Sequence, residues 1–220
     1  MDKHHLTVTG VGKAELIPDE IVITFTVNAK NTDYNCLNRE CREKLDELTA
    51  ALKEAGFEAS ELKTSSYRVN TEYEKNNTWK KRFIGYSINH MLSVKFDFDT
   101  KKLNVVINAV SSCKKADPAF KISFGVKDKA AASDRLLVSA VKDAAHKAEI
   151  IAQAASIELN EICEITYDSS EAEAACVTAF YKASAGELCR GADNNIDITP
   201  ENINAMLNVK ITWNFSKKSQ

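Results

Sequence analysis

The sequence predicts an α+β fold: a largely antiparallel sheet with helices on one face, with a split β-α-β (ferredoxin-like) core to which a long helix and further strands are added. Three observations predict it. Apolar residues alternate with polar ones in several stretches, the mark of strands with one buried face, and recur every three to four residues in three others, the mark of amphipathic helices. From Ile21 to Val126 these stretches run strand, helix, strand, hairpin, strand, helix, strand, the order of the split motif. At 220 residues the chain can bury roughly 70% of the surface its unfolded form exposes, so it needs no disulfide framework.

The first residues, MDKHHLTVTG, enter a strand-like pattern at once, and Ile21, Ile23, Phe25 and Val27 supply the next apolar face. A helix is expected from about Asp33 to Ala55, with Tyr34, Leu37, Cys41, Leu45, Leu48, Leu52 and Ala55 in one stripe, Asp33 as N-cap and Gly56 as the stop. Tyr67, Val69, Thr71 and Tyr73 alternate as a second strand. The third is the longest: Ile84, Tyr86, Ile88, His90, Leu92, Val94, Phe96, Phe98. Between them EKNNTWKKR, Glu74 to Arg82, reads as a hairpin tip.

A shorter helix follows Asp99, with Leu103, Val106, Ile107 and Val110 on one side and its end near Ser112. Phe120, Ile122, Phe124 and Val126 form a fourth strand. The long helix runs from about Lys129 to Ser156 with a seam of Leu137, Val141, Ala144, Ala148, Ile151 and Ala155; the flanking alanines allow close approach to a sheet or a partner helix. A weaker strand covers Glu161 to Tyr167, and Leu207, Val209, Ile211, Trp213 and Phe215 close the chain. The last strand needs a neighbour in the same sheet, so residues 1–220 are expected to form a single domain. The stretch from Asp168 to Asn204, with an Ala-rich and helix-compatible piece and a polar tail, is read as an excursion, longer than ordinary loops, that covers a neighbour or carries function.

Composition excludes several classes of function. A formal net charge of −2 gives no broad attraction to nucleic acid. The basic and aromatic residues Trp79, Lys80, Lys81, Arg82 and Phe83 are too few to change this and read as a soluble turn or a subunit contact. No apolar run approaches the ~20 residues of a membrane span, and the opening residues lack a signal-peptide pattern; a cytoplasmic location is expected.

The glycines of VTGVGKAELIPDE, Val8 to Glu20, raise the question of a nucleotide loop. Pro18 and a second strand follow them where a dinucleotide fingerprint needs a third glycine and a helix, so they read as a bulge or a close backbone approach. The six cysteines form no C-x-x-C. Cys36 and Cys41 are turned about 140° apart on their helix, and Cys113, Cys163, Cys176 and Cys189 have no ligand spacing; reduced, buried or incidental thiols are expected. Of the four histidines, His4 and His5 sit near the terminus, where order is not expected, and His146 lies off its helix seam. His90 takes an apolar slot in the longest strand, as a hydrogen-bonded histidine of a core or an interface does. No nucleophile, base and orienting group assemble from the sequence. The expectation is therefore a non-enzymatic protein with no catalytic, cofactor-binding or metal residues and no cofactor.

Four stretches carry a resemblance to one family: VTGVGKAELIPDEIVITFTV, LTAALKEAGFEASELKTSSYRVNTEYE, GYSINHMLSVKF and ISFGVKDKAAASDRLLVSAVKDAAHKAEIIAQAASIELNEI. With the T-G-x-G…P-D opening, the L-K-x-A-G…K-T-S turn and the A-V-x-D-A…K-A-E helix, the chain resembles the SIMPL-domain family, a bacterial domain of unknown function, over residues 6 to 168 plus AMLNVKITWNF. The resemblance implies an α+β fold that assembles into large homo-oligomers in a bacterial member, an association of some members with oxidative stress and the envelope, and a kinase-associated adaptor among animal relatives. It carries no catalytic residue to this chain. ASIELNEI lacks the glycines usual after the long helix. The expected partners are further copies of the chain, meeting through the hairpin from Tyr67 to Phe98 and the Ala-rich helix. The alternative is a ligand-binding or adaptor module that uses the excursion at 168–204 to hold a protein partner.

Overall fold

Alternation becomes strand throughout, but the strands divide between two sheets. The structure is a computed structural model that describes residues 4–75, 81–168, 177–184 and 199–217, giving the backbone course alone for 177–184. In chain order the elements are β1 (His4–Leu16), β2 (Glu20–Asn31), α1 (Tyr34–Glu54), β3 (Lys63–Lys75), β4 (Lys81–Asp97), α2 (Thr100–Ser111), β5 (Ala119–Gly125), α3 (Lys129–Ala155), β6 (Ile157–Tyr167), β7 (Val177–Ser184) and β8 (Ile203–Lys217). One sheet has the order β1-β8-β6, the other β3-β4-β2-β5-β7. The pairings of β1 with β8, β6 with β8, β2 with β4 and β3 with β4 are antiparallel. The class is α+β.

The single sheet expected from the sequence is thus two. Alternation shows that a strand has a buried face but not which strands share it. The closing strand finds its neighbours in β1 and β6, and β1 pairs with it over its whole length, from His4 opposite Phe215 to Leu16 opposite Ile203. The described chain falls into two compact units. The first holds the residues up to Asp19, those from Phe124 to Asp168 and those from Pro200 onward; the second holds Glu20 to Ser123.

In the first unit α3 covers β1 and β8. Its buried stripe is Ala132, Leu136, Ala140, Ala144, Ala148 and Ala152; of the expected seam Ala144 and Ala148 lie in it, Leu137 packs half-buried at its side, and Val141, Ile151 and Ala155 are exposed. A stripe at spacing four follows an inclined ridge of the helix, and Gly10 and Gly12 explain why small residues occupy it. A Cβ on Gly10 would collide with the Ala140 carbonyl and lie 2.5 Å from the Ala144 nitrogen; one on Gly12 would collide with the Leu136 carbonyl and lie 2.9 Å from the Ala140 nitrogen. The β1 register against β8 is unbroken, so of the two readings of the glycines the close approach is the one observed. Asp143 fixes the contact by accepting from the Val11 N–H at 2.7 Å and the Lys147 ammonium at 2.7 Å. The Pro18-Asp19 corner is tied within the same unit: the Asp19 N–H donates to the Gly125 carbonyl at 3.0 Å, and its carboxylate accepts from Lys127 N–H at 2.8 Å.

In the second unit α1 packs on β2 and β4 and against α2. Asp33 caps α1 through the Cys36 N–H at 2.8 Å. At the other end Gly56 (φ +89°) completes a left-handed stop, with Gly56 N–H bonded to Lys53 O and Phe57 N–H to Leu52 O. Asp99 caps α2 from Lys101 N–H at 2.8 Å. The core is made of large side chains: Ile21, Ile23, Phe25 and Val27 are fully buried, with Leu37, Leu48, Leu52, Leu103, Ile107 and Ile122. Most of the excursion lies outside the described residues. The part of its Ala-rich piece that is described, VTAFYKAS, is strand β7 rather than helix.

Candidate functional site

In the second unit one strand leaves its apolar residues in water. β3 forms the edge of the five-stranded sheet, and Tyr67, Val69 and Tyr73 are exposed there, Tyr73 by 52%. The sequence expected these residues on a buried face; alternation is correct, but no element among the described residues covers the strand. Beside it β4 changes phase at Gly85 (φ +140°), where the pairing shifts between Glu72 and Tyr73 and leaves Ile84 as an extra residue. A Cβ on Gly85 would lie 2.6 Å from Asn31 O.

The bulge turns Phe83, rather than the expected Ile84, toward Tyr86, and a run of aromatic rings results. Tyr73 meets Phe83 at 6.0 Å between centroids, Phe83 meets Tyr86 at 5.1 Å, and Tyr86 meets Tyr34 at the start of α1 at 5.7 Å, all edge to face. Ser87, next along β4, donates to the Glu72 carboxylate at 2.5 Å. A shallow cleft of about 220 Å³ lies beside them, lined by Lys30, Asn31, Thr32, Glu72, Ile84, Gly85 and Tyr86.

His90 stands further along β4, 9% exposed, between Val27 of β2 and Tyr67 of β3. Its Nε2 shares a hydrogen bond with Thr64 Oγ1 at 3.0 Å, its ring meets Tyr67 edge to face at 5.0 Å, and Nδ1 has no partner. Burial lowers its pKa below the ordinary value. A buried histidine with one hydrogen-bonded nitrogen is what the sequence reading anticipated; the edge-to-face ring contact and the second, orphaned nitrogen were not.

The remaining sequence candidates scatter. Trp79 and Lys80 of the basic tip lie outside the described residues; Lys81 and Arg82 are exposed, with Arg82 opposite Glu74. His4 and His5 are ordered in β1, contrary to expectation, because pairing with β8 reaches the first described residues; the His4 ring stacks on Phe215 at 5.5 Å. His146 is exposed on α3. Cys41 and Cys113 are buried, which raises both thiol pKa values; that of Cys113, with Glu47 and Glu54 adding to the effect of burial, reaches about 11. Cys36 is half-buried and Cys163 exposed. Cys176 and Cys189 lie outside the described residues. Among the described residues no three of His, Cys, Asp and Glu come together as a metal site, and no helix is long and apolar enough to cross a membrane.

A family model described as SIMPL, protein of unknown function (DUF541), matches residues 6–213. The chain belongs to the SIMPL family. An uncharacterized protein YggE from Edwardsiella ictaluri (strain 93-146) is 21% identical over 180 residues, covering 82% of this chain and 74% of the relative. Among solved structures, the regulatory subunit of aspartate kinase from Thermus flavus aligns over 95% of this chain and 90% of its own at 8% identity and a TM-score of 0.20.

Proposed function

We propose that this SIMPL protein works by self-association rather than catalysis, and that β3 and the aromatic face it shares with β4 form the contact between copies. One observation carries the reading: an edge strand of the described sheet presents Tyr67, Val69 and Tyr73, with Phe83 beside them, to solvent. An uncovered edge strand is a template for another strand, and isolated proteins blunt such edges with charge or proline. Apolar and aromatic side chains on such an edge favour a partner instead. The alanine stripe of α3, a second contact surface in the sequence reading, is taken up by β1; the outward Val138, Val141, Ile150 and Ile151 are what that helix has left to offer. The order β3-β4-β2-β5 supports reading the second unit as the split β-α-β core, and one family model running from 6 to 213 supports treating the chain as one SIMPL-like domain. A role in oxidative stress belongs to this reading on family resemblance alone.

Native mass spectrometry over a concentration series tests the proposal. The wild type is expected as a multimer at micromolar concentration, and the pair Tyr73→Ser with Phe83→Ser weakens assembly by at least about tenfold, in line with the loss of buried aromatic anchors. A strict monomer, or a multimer indifferent to the pair, overturns it.

A further inference from the structure

The first unit places a thiol beside an imidazole. β8 runs between β1 and β6. On its polar face Thr212 and Thr7 share a hydrogen bond at 3.0 Å, and Asn214 lies directly opposite His5. On the other side of β8, Ile162 pairs with Trp213 and Glu164 with Thr212, so Cys163 is the extra residue of a bulge. Bulges re-aim side chains. This one brings the Cys163 Sγ within 3.8 Å of His5 Nδ1, joining residues 158 positions apart, with the Glu161 carbonyl as a second acceptor at 3.8 Å. The Oδ1 of Asn214 is shut off from water and has no hydrogen-bond partner.

We propose that Cys163 is a site of thiol–disulfide exchange with small disulfides, and that His5 is its general base. The thiolate is the attacking species, and an imidazole nitrogen facing the sulfur is the group that makes it at neutral pH. With His5 in the tautomer that carries its hydrogen on Nε2, Nδ1 accepts the proton from Sγ. The thiolate attacks one sulfur of the disulfide; a new S–S bond forms on Cys163 as the old one breaks. The departing thiolate takes the proton back from His5 and leaves as a thiol. One disulfide is consumed and one formed, so no outside oxidant enters.

Among the described cysteines, Cys36 is the internal competitor. It is half-buried in the first turn of α1, where the Arg39 guanidinium lies 3.7 Å from its sulfur but the Asp33 carboxylate caps the same turn. Cys41 and Cys113 are closed to solvent.

The folded, full-length protein is incubated with oxidised glutathione at neutral pH, quenched in acid, and mapped by peptide mass spectrometry over time. Cys163 is expected to form the mixed disulfide at least about tenfold faster than Cys36. His5→Gln slows Cys163 by at least about tenfold, a threshold set below the roughly hundredfold or more usual for a general base, and leaves the Cys36 rate and the melting temperature unchanged. His5→Phe, which keeps a ring on β1, gives the same loss should glutamine disturb the strand. A lead of Cys163 over Cys36 of less than tenfold, or a Cys163 rate that survives both substitutions, overturns the proposal.

Discussion

Helix α3 rests on Gly10 and Gly12 through a stripe of alanines, whereas α1 rests on β2 and β4 through Leu37, Leu48 and Leu52 against a face that includes Phe25, Val27 and Ile88. Both helices bury one face of an antiparallel sheet. In the first unit the limiting quantity is the distance between two backbones, so the packing is sensitive to atoms added. In the second it is the volume filled by interlocking large side chains, so the packing is sensitive to atoms removed.

The largest expected effect breaks the first half of that comparison. Gly12→Ala adds a single methyl, and within a strand the change from glycine ordinarily stabilises by lowering the freedom of the unfolded chain. Here the new carbon meets the Leu136 carbonyl and the Ala140 nitrogen, both backbone of a helix held to β1 by Asp143. Urea denaturation is expected to show a loss above the usual overpacking range of about 1–3 kcal/mol. A stability equal to or above wild type means that α3 can slide away from β1, and the contact is not the constraint described.

Removal of atoms tests the other half. Leu48 is fully buried on α1, and Leu48→Ala is expected to cost about 3 kcal/mol through lost transfer energy and the cavity left. The shortened side chain is the alanine that α3 uses at every position of its stripe except Leu136. A cost under about 1 kcal/mol by the same urea titration shows that α1 can close down on its sheet as α3 does, and the two helices are then one kind of packing.

The difference between the units also separates what the sequence discloses from what it hides. The caps of α1 and α2 were legible because Asp33, Asp99 and Gly56 act within one helical turn, and the faces of β2 and β8 were legible because large apolar residues stand at every second position. The stripe of α3 was read in part: Ala144 and Ala148 stood in the expected seam, but alanine carries little hydrophobic signal, so Val141 and Ile151 outweighed Ala140 and Ala152; the partner that selects alanine, the Gly10 and Gly12 pair, is more than a hundred positions away in the chain. The face of β3 was misread because alternation is the same whether or not a neighbour arrives to cover it. At the candidate site, His90 was visible as a polar residue in an apolar slot, whereas Phe83 was read only as part of the hairpin tip and Ile84 was given the apolar slot, because the bulge at Gly85 shifts the phase by one residue. The approach of Cys163 to His5 had no sequence signal, since it depends on a second bulge and on β8 lying between their strands.

The smallest effect sharpens the comparison by pH. Burial lowers the pKa of His90 in the second unit, while in the first the hydrogen bond from Lys147 and that from the Val11 N–H lower the pKa of Asp143. His90 is neutral in both folded and unfolded chains above the unfolded value of about 6.5, where it adds no pH dependence. As pH falls below that value the unfolded chain takes up the proton first, and stability drops until the folded value is passed, with a slope no steeper than about 1.4 kcal/mol per pH unit. Asp143 keeps its contribution through this range and loses it only as pH falls through the lower carboxylate value of the folded state. Amide hydrogen exchange measured between neutral pH and about pH 5, corrected for intrinsic rates, is therefore expected to show protection falling in β4 while β1 holds, and His90→Phe to flatten the β4 response. Equal losses in β1 and β4, or a β4 response that persists in His90→Phe, would place the acid sensitivity elsewhere and remove the orphaned nitrogen of His90 as its source.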